Sequence, residues 1–229
     1  MGDQIKIDLD DIVVYGAGGT SRDLMETLEA MNEDQRRWNI LGFLDDDPAK
    51  HGSEVLGYPI LGGGSLAVES PAYRNVKICI GIANSMELSI RRTIRERLGL
   101  SGDRFPAIVH PTAVVSTRSS IGEGVVFLAG SFCSNMATVS KHVMVLQNTV
   151  ISHDAVVSDY VTFAANVSTG GGIHVGEGSF IGLGAAILPG VRVGTMCRVG
   201  MGAVVIRDVP GFATVAGNPA RIIAIDKPD

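Results

Sequence analysis

Apolar residues recur at every sixth position through the second half of the chain. From Val109 to Val205, each sixth residue is apolar except Thr169. The residue four places after each of these is Ser, Thr, Ala or Val, with Ile173 and Cys197 as the exceptions. Neither an α-helix, with a period of about 3.6, nor an ordinary strand, with a period of about 2, repeats in this way. No insertion interrupts the register, so this period decides the fold of the segment.

The six-residue period predicts a β-solenoid whose coils have three flat faces, with one hexad per face. Large apolar side chains would fill the interior, and small ones would lie near the corners. Glycine follows the apolar residue at several close corners, as at Gly122, Gly176 and Gly182. Coils stacked about 4.8 Å apart would give roughly five coils and a column about 25 Å tall. Such a column needs capped ends, and we expect the tail from Val209 to form one cap.

Residues 1–106 lack this period and alternate between strand and helix patterns. Apolar runs predict strands at 12–15, 40–44 and 76–80. A helix with Leu24, Met25, Leu28 and Met31 on one face follows the first strand, and a basic amphipathic helix is predicted over 85–98. This alternation indicates a small parallel α/β domain. We therefore expect two domains, an α/β domain over residues 1–106 and an all-β solenoid over residues 107–229.

A glycine-rich turn, running from Gly16 to Ser21, follows the first strand. Such a turn, placed before a helix, directs backbone N–H groups at an anion. The dinucleotide fingerprint is incomplete, because Ser21 stands where its third glycine belongs. The carboxylates of residues 45–47 follow the second strand, where ribose hydroxyls are commonly bound. The pattern is therefore typical of a nucleotide site but is weak evidence for NAD, because it fits a nucleotide diphosphate as well. A tight turn without a ligand, and a solvated acidic turn before Pro48, remain as alternatives.

Composition and charge exclude several classes of protein. The chain has 229 residues, a net charge of −5 and 19% charged residues, with a mean hydropathy of +0.26. These values disfavour disorder, and the acidic balance disfavours nucleic acid or an anionic membrane as a partner. The first residues are charged and lack the apolar region of a secretory signal, and no run of about 18 apolar residues occurs. We therefore expect a cytoplasmic protein, whose three cysteines are small buried apolar residues.

His153 and Asp154 are the most conspicuous titratable pair in the solenoid. His153 takes the third place of its hexad, which lies outside the interior. Imidazole accepts a proton near neutral pH, and a neighbouring carboxylate could hold its tautomer. Adjacent side chains on a flat strand point to opposite faces, so this contact requires a corner. An exposed histidine without a role is the alternative. His142 and His174 lie 11 and 21 residues from His153, and neither distance matches the 18-residue length of a coil, so we expect no metal site.

The hexapeptide register, with Ile151-Ser152-His153-Asp154 inside it and Ala216-Gly217-Asn218-Pro219-Ala220-Arg221 at its end, resembles that of the left-handed β-helix acyltransferases. With the segments 14–19 and 42–47 added, the chain resembles the two-domain branch that contains bacterial sugar-nucleotide N-acetyltransferases and sialic-acid O-acetyltransferases. The resemblance covers nearly the whole chain. It implies a Rossmann-like α/β domain that binds the nucleotide, followed by a left-handed parallel β-helix. It also implies a homotrimer with acetyl-CoA bound between neighbouring β-helices.

The resemblance also assigns roles to individual residues. His153 would be the general base, oriented by Asp154. Gly171, Leu183 and Met201 match positions whose backbone lines the acetyl-CoA cleft in the family. Thr162 stands where many relatives carry a second histidine, which contacts the thioester or pantetheine. The residues that would face the nucleotide are Gly18, Gly19 and Thr20 at the diphosphate or ribose, Asp45 and Asp46 at the ribose and base, and Gly81 in the same pocket. Thr20 also replaces a histidine that many relatives carry.

The expected activity is direct transfer of the acetyl group of acetyl-CoA to the amine of a nucleotide-linked 4-amino-4,6-dideoxy sugar, for surface glycan synthesis. O-acetylation of sialic acid or of another sugar hydroxyl is the nearest alternative. A non-catalytic trimeric scaffold that binds nucleotide sugars is a second, and a reductase that uses the glycine-rich turn is a third. The nucleotide base and the stereochemistry of the sugar stay open.

Overall fold

The N-terminal part of the chain is a five-stranded sheet with helices packed on it. The computed structural model describes residues 9–226, so most of the charged segment at the start of the chain lies outside the described residues. The sheet order is β3-β4-β2-β1-β5, and its strands are parallel apart from β3, which pairs antiparallel with β4. The elements are β1 (Asp10–Tyr15), α1 (Gly19–Asp34), β2 (Trp38–Leu44), β3 (Glu54–Val55), β4 (Tyr58–Gly62), α2 (Leu66–Glu69), β5 (Lys77–Ile80) and α3 (Ile90–Leu98).

The basic helix is shorter than the sequence predicts. It begins at Ile90 rather than at residue 85, and it ends at Leu98, where Gly99 follows with a left-handed φ of 59°. The residues before it are held by a distant side chain, because Arg198 donates from Nε to the Ser85 carbonyl at 2.9 Å and from Nη2 to the Met86 carbonyl at 3.5 Å. The predicted start is therefore wrong, and a local pattern carries no information about that distant partner.

The second half of the chain is a left-handed parallel β-helix with three sheets, as the period predicts. The sheets are numbered I to III here. At the end of the column, sheet I is extended by β23 (Ala213–Ala216) and β24 (Arg221–Ile225), an antiparallel hairpin that forms the expected cap. Sheet I contains β6 (Ile108–Val109), β9 (Val126–Phe127), β12 (Met144–Val145), β15 (Thr162–Phe163), β18 (Phe180–Ile181) and β21 (Arg198–Val199). Sheet II contains β7 (Val114–Val115), β10 (Phe132–Cys133), β13 (Val150–Ile151), β16 (Ser168–Thr169), β19 (Ala186–Ile187) and β22 (Val204–Val205). Sheet III contains β8 (Ser120–Ile121), β11 (Thr138–Val139), β14 (Val156–Val157), β17 (His174–Val175) and β20 (Arg192–Val193).

The large apolar residues of the repeat fill the interior of the column, as predicted. They form one continuous buried cluster with the small residues four places later, such as Ala155 and Ala185. Thr169, the polar exception, satisfies its hydroxyl by donating to the Val150 carbonyl and accepting from the Ser152 amide. All three cysteines are buried and free. Within residues 9–226, no helix is both long enough and apolar enough to cross a bilayer.

Two kinds of glycine serve the corners. A Cβ on Gly182 would lie 2.6 Å from the Val199 carbonyl oxygen and 2.8 Å from the Met201 amide nitrogen, so this corner has no room for a side chain. Gly184 instead supplies a left-handed backbone, with φ at 65°. Asn148 and Asn166 occupy the equivalent place in the two preceding coils, with φ at 57° and 60°. Asparagine tolerates this conformation better than most residues.

We expect Gly182→Ala to destabilise the protein by about 1–3 kcal/mol, because the added methyl group meets backbone atoms that cannot move independently. Gly184→Asn is the matched control and should lower the free energy of unfolding much less. Chemical denaturation of both variants measures the difference. Equal losses in the two variants would contradict the assignment of Gly182 to a sterically closed corner.

The N-terminal domain packs on sheet I of the β-helix. Ile108, Val126 and Leu128 of the coils share a buried cluster with Leu24 and Leu28 of α1. At the corner between sheets III and I, the His142 ring stacks on Tyr160 with centroids 5.4 Å apart and meets Phe105 edge-on at 5.2 Å. His142 is 2% exposed, and its Nε2 has no hydrogen-bond partner among the described residues. Burial, followed by the nearby Arg95, Arg91 and Lys141, lowers the pKa of His142 to about 3.

This pKa makes stability depend on pH. The imidazole is neutral in the folded protein down to about pH 3, whereas the unfolded chain binds a proton near pH 6.5. The stabilisation is therefore complete above pH 6.5 and is lost as the pH falls towards 3. Between pH 7 and pH 5 we expect His142 to account for about 2 kcal/mol of lost stability. Urea unfolding at the two pH values measures this: the free energy of unfolding of wild type should fall by about 2 kcal/mol more than that of His142→Phe. Identical losses in the two proteins would refute the assignment.

Candidate functional site

His153 and Asp154 lie at the corner between sheets II and III. Asp154 has a φ of 56°, which turns its side chain onto the same side as that of His153. His153 Nδ1 lies 2.7 Å from Asp154 Oδ2, and the two side chains are 58% and 63% exposed. A carboxylate can only accept, so Nδ1 carries the proton and Nε2 presents a lone pair to solvent. The contact lies at a corner, as predicted, and its geometry is the one that a general base with an orienting carboxylate would need.

Gly171 lies one coil above His153 and borders its ring. A Cβ on Gly171 would collide with the Cε1 and Nε2 atoms of the imidazole. The neighbouring Gly172 amide donates to the His153 carbonyl at 2.8 Å. Gly171 therefore leaves the space that the imidazole occupies, and its backbone lies close to the atom that would take a proton.

The other residues expected at the acetyl-CoA cleft lie elsewhere on the same chain. Leu183 and Met201 occupy adjacent coils at the corner between sheets I and II, with 48% and 74% of their surface exposed. Thr162 lies on sheet I, which the N-terminal domain covers, and is only 3% exposed. Within a single chain the fold thus brings Gly171 to His153, but not Thr162, Leu183 or Met201.

The glycine-rich turn lies between β1 and α1, and the end of β5 packs against it. Gly18 caps α1 without a side-chain hydrogen bond, and a Cβ on it would meet no atom within 4 Å. Gly19 and Thr20 form the start of the helix, where free N–H groups attract anions. Gly81 packs tightly on Ser21, whose hydroxyl donates to the Gly81 carbonyl at 2.8 Å. Ser21 thus fills the place of the third fingerprint glycine, and the open space at Gly18 suits a ligand.

Asp45 and Asp46 both bind groups of the protein. Asp45 accepts from the Ala17 amide at 3.0 Å and from Lys50 Nζ at 2.9 Å, so it holds the glycine-rich turn to β2. Burial alone would raise the pKa of the Asp45 carboxyl. Hydrogen bonds from the Asp47 amide, Lys50 and the Ala17 amide outweigh that effect and hold the pKa below its usual range.

Asp46 belongs to a network that sequence reasoning missed. It accepts from the Tyr15 hydroxyl at 2.7 Å and from the Gly64 amide at 3.0 Å, and it pairs with Arg97 of α3. Burial raises the pKa of Asp46, but these partners lower it more, and burial together with Asp46 raises the pKa of Tyr15. The network borders a cavity of about 230 Å³ between β1 and α3, which Asp45 and Ile82 also line. Helical spacing places Arg97 beside the apolar face of α3, but no pattern in the sequence joins it to Asp46.

A larger groove, about 640 Å³, runs across sheet III and is lined by His174, Arg192 and Asp208. It contains none of the residues expected at a site. In the described part of the chain, no cluster of three or more His, Cys, Asp or Glu side chains is placed to bind a metal ion.

Known proteins match this chain both in sequence and in fold. The family model of the PglD N-terminal domain matches residues 11–98. The acetyltransferase domain of PglB from Neisseria gonorrhoeae FA1090 is 30% identical, with a TM-score of 0.82 over 93% of this chain and 99% of that one. The chain belongs to the hexapeptide-repeat family of sugar N-acetyltransferases. The expected family and fold are thereby confirmed, and a reductase is not supported.

Other relatives of this acetyltransferase extend the comparison. PerB from Caulobacter crescentus, solved in complex with CoA and GDP-perosamine, is 29% identical, with a TM-score of 0.80 over 95% of this chain and 99% of that one. The UDP-N-acetylbacillosamine N-acetyltransferase of Bacillus subtilis (strain 168) is 42% identical over 55 residues. The matched segment covers 24% of this chain and about a quarter of the length of that relative.

We expect Gly171→Ala to lower the turnover number of this acetyltransferase by about 100-fold, because displacement of the imidazole by about 1 Å moves it out of its working position. Gly172→Asn is the matched control. Gly172 has a φ of 67° and open space around its α-carbon, so asparagine should fit there. Steady-state acetyl transfer measures both variants. Comparable turnover in Gly171→Ala and wild type would show that the ring tolerates a methyl group at this position.

Proposed function

We propose that the protein transfers the acetyl group of acetyl-CoA to the amine of a nucleotide-linked 4-amino-4,6-dideoxy sugar, with His153 as the general base. The observation that carries the proposal is the His153 Nδ1–Asp154 Oδ2 contact of 2.7 Å, which leaves Nε2 free beside Gly171. The PglB domain has been solved with acetyl coenzyme A and PerB with GDP-perosamine, which supports both substrate classes. Such a reaction serves surface glycan synthesis, and we place it in the cytoplasm.

The reaction needs a base for one proton. The sugar nitrogen attacks the thioester carbonyl and forms the new C–N bond, while His153 Nε2 removes a proton from that nitrogen. The tetrahedral intermediate then expels the CoA thiolate as the C–S bond breaks. Asp154 stabilises the imidazolium that forms, and the proton is finally released to the thiolate or to solvent. Backbone N–H groups of the coil are the candidate donors to the oxyanion.

The cysteines argue against an acetylated enzyme. Cys79, Cys133 and Cys197 are all buried, and burial raises the pKa of each thiol. A buried thiol with a raised pKa supplies little thiolate, which is the nucleophile that an acyl-enzyme route requires. Direct transfer between the two substrates is therefore the simpler route.

We further propose that His153 and the nucleotide-binding residues of one active site come from different copies of the chain. In a three-sided column, the corner between sheets II and III lies opposite sheet I. His153 occupies that corner, whereas the N-terminal domain covers sheet I. Sheet II also exposes apolar side chains, with Val114 at 56% and Phe132 at 40%. A trimer packed through sheet II would cover them and bring His153 to the domain of its neighbour.

The first test measures CoA thiol release from acetyl-CoA with a panel of acceptors. The panel contains UDP-, dTDP- and GDP-linked 4-amino-4,6-dideoxy sugars, with sialic acid and CMP-sialic acid for comparison. We expect turnover with one amino sugar nucleotide, and a loss of about 100-fold to 10,000-fold in His153→Asn with acetyl-CoA binding retained. Turnover with the sialic acids alone would indicate O-acetylation, and full activity in His153→Asn would exclude His153 as the base.

Subunit mixing tests the shared site. His153→Asn and Asp46→Ala each remove one half of the proposed site. Mixed trimers formed from equal amounts of two inactive variants should recover about a quarter of the wild-type sites, since a site needs an intact His153 from one copy and an intact pocket from the next. No recovery in mixed trimers would place both halves of the site in the same chain.

A further inference from the structure

Three arginines of α3 reach from the N-terminal domain to the β-helix, and one of them differs from the others. Arg92 pairs with Glu177 and Arg95 lies 3.6 Å from Glu123, so both meet a carboxylate that is partly open to solvent. Arg91 is 3% exposed and pairs with no carboxylate in the described part of the chain. A buried cation without an anion is costly, so its environment must satisfy the charge in another way.

Backbone carbonyls satisfy it, and they come from both domains. Arg91 Nη1 donates to the Ile82 carbonyl at 2.9 Å, just beyond the end of β5. Its Nε donates to the His142 carbonyl at 3.3 Å, and its Nη2 donates to the Tyr160 and Val161 carbonyls at 2.5 and 3.2 Å. His142 and Tyr160 occupy the same corner of successive coils. Burial lowers the pKa of Arg91 to about 10, so the guanidinium remains charged at neutral pH.

The carbonyl from the N-terminal domain belongs to a residue that supports the glycine-rich turn. A Cβ on Gly16 would lie 2.8 Å from Ile82 Cγ1, so the Ile82 side chain packs directly on the backbone of Gly16. The preceding residue, Gly81, packs on Ser21. Ile82 also lines the 230 Å³ cavity together with Asp46 and Tyr15. A shift of the Ile82 backbone would therefore move one wall of the cavity and the start of the turn.

We propose that Arg91 is a positioning residue for the acceptor substrate, because it holds Ile82, and through Ile82 the glycine-rich turn and its cavity, at a fixed place on the coil. This inference rests on the proposed function in one respect, namely that this side of the N-terminal domain binds the nucleotide of the acceptor. Arg91 itself is buried and does not line the cavity. Its effect should appear in binding of the nucleotide sugar and not in binding of acetyl-CoA.

The test compares Arg91→Met, Arg91→Lys and the matched control Arg92→Met. Methionine keeps the unbranched bulk of the side chain but removes its donors. We expect Arg91→Met to raise the KM for the nucleotide sugar about ten-fold or more, because it loses charge-assisted hydrogen bonds. The KM for acetyl-CoA should stay within about two-fold of wild type. Arg91→Lys keeps a positive charge, so its KM for the nucleotide sugar should lie between those of Arg91→Met and wild type. Arg92→Met removes the ion pair with Glu177 and a cation–π contact with Tyr160, but no contact with Ile82, so both KM values should stay as in wild type.

A second measurement separates positioning from loss of folding and from failure of the proposed function. Amide hydrogen exchange, followed by mass spectrometry without substrates, should be faster around residues 16–21 and 81–86 in Arg91→Met than in Arg92→Met, with the exchange of the coils unchanged. An equal rise in both KM values, or equal exchange in the two variants, would overturn the proposal. If wild type used no nucleotide-linked amino sugar, the proposed function would fail, and the exchange comparison would still decide whether Arg91 orders the turn.

Discussion

The parallel pairing of successive coils is the constraint on which the rest of this structure depends. Each two-residue strand binds its equivalents one coil before and one coil after, so residues 18 apart are stacked on one another, as Val114, Phe132 and Val150 are. No insertion interrupts the hexads, so this stacking continues through the whole column. The register therefore fixes more than the interior. It places Gly171 over His153 and Met201 over Leu183, and it aligns the corner carbonyls that Arg91 binds.

Much of this could be predicted from the sequence, because the information is local and repeated. The period of six specifies the sheets, the interior and the corners, and the place of His153 within its hexad puts it at a corner beside Asp154. The N-terminal strands and the glycine-rich turn follow from short apolar runs and glycine spacing. These features depend on neighbouring residues or on a period that the sequence repeats many times.

The parts that escaped prediction depend on single contacts between distant residues. The segment just before α3 is bound by Arg198, more than a hundred residues further along the chain. The pairing of Asp46 with Arg97 depends on how α3 packs within the N-terminal domain, and the burial of Thr162 depends on how the two domains pack. Arg91 did leave a signal, since it shares the buried face of α3 with Ile94 and Leu98. An arginine on an apolar face needs buried partners, but the sequence does not say which ones.

The arrangement of arginines on α3 suggests why the most buried of them binds carbonyl groups of the β-helix and not a carboxylate. Arg97 faces the cavity and Arg92 the coil carboxylate Glu177, each at the protein surface. Between them, a carboxylate facing Arg91 would add a second buried charge, with its own desolvation cost. Corner carbonyls are already present in every coil, and a planar guanidinium can bind several of them at once. The β-helix thus supplies a ready set of acceptors at a fixed spacing. A domain docked in this way takes its orientation from the same register that places His153 and Asp154 at their corner.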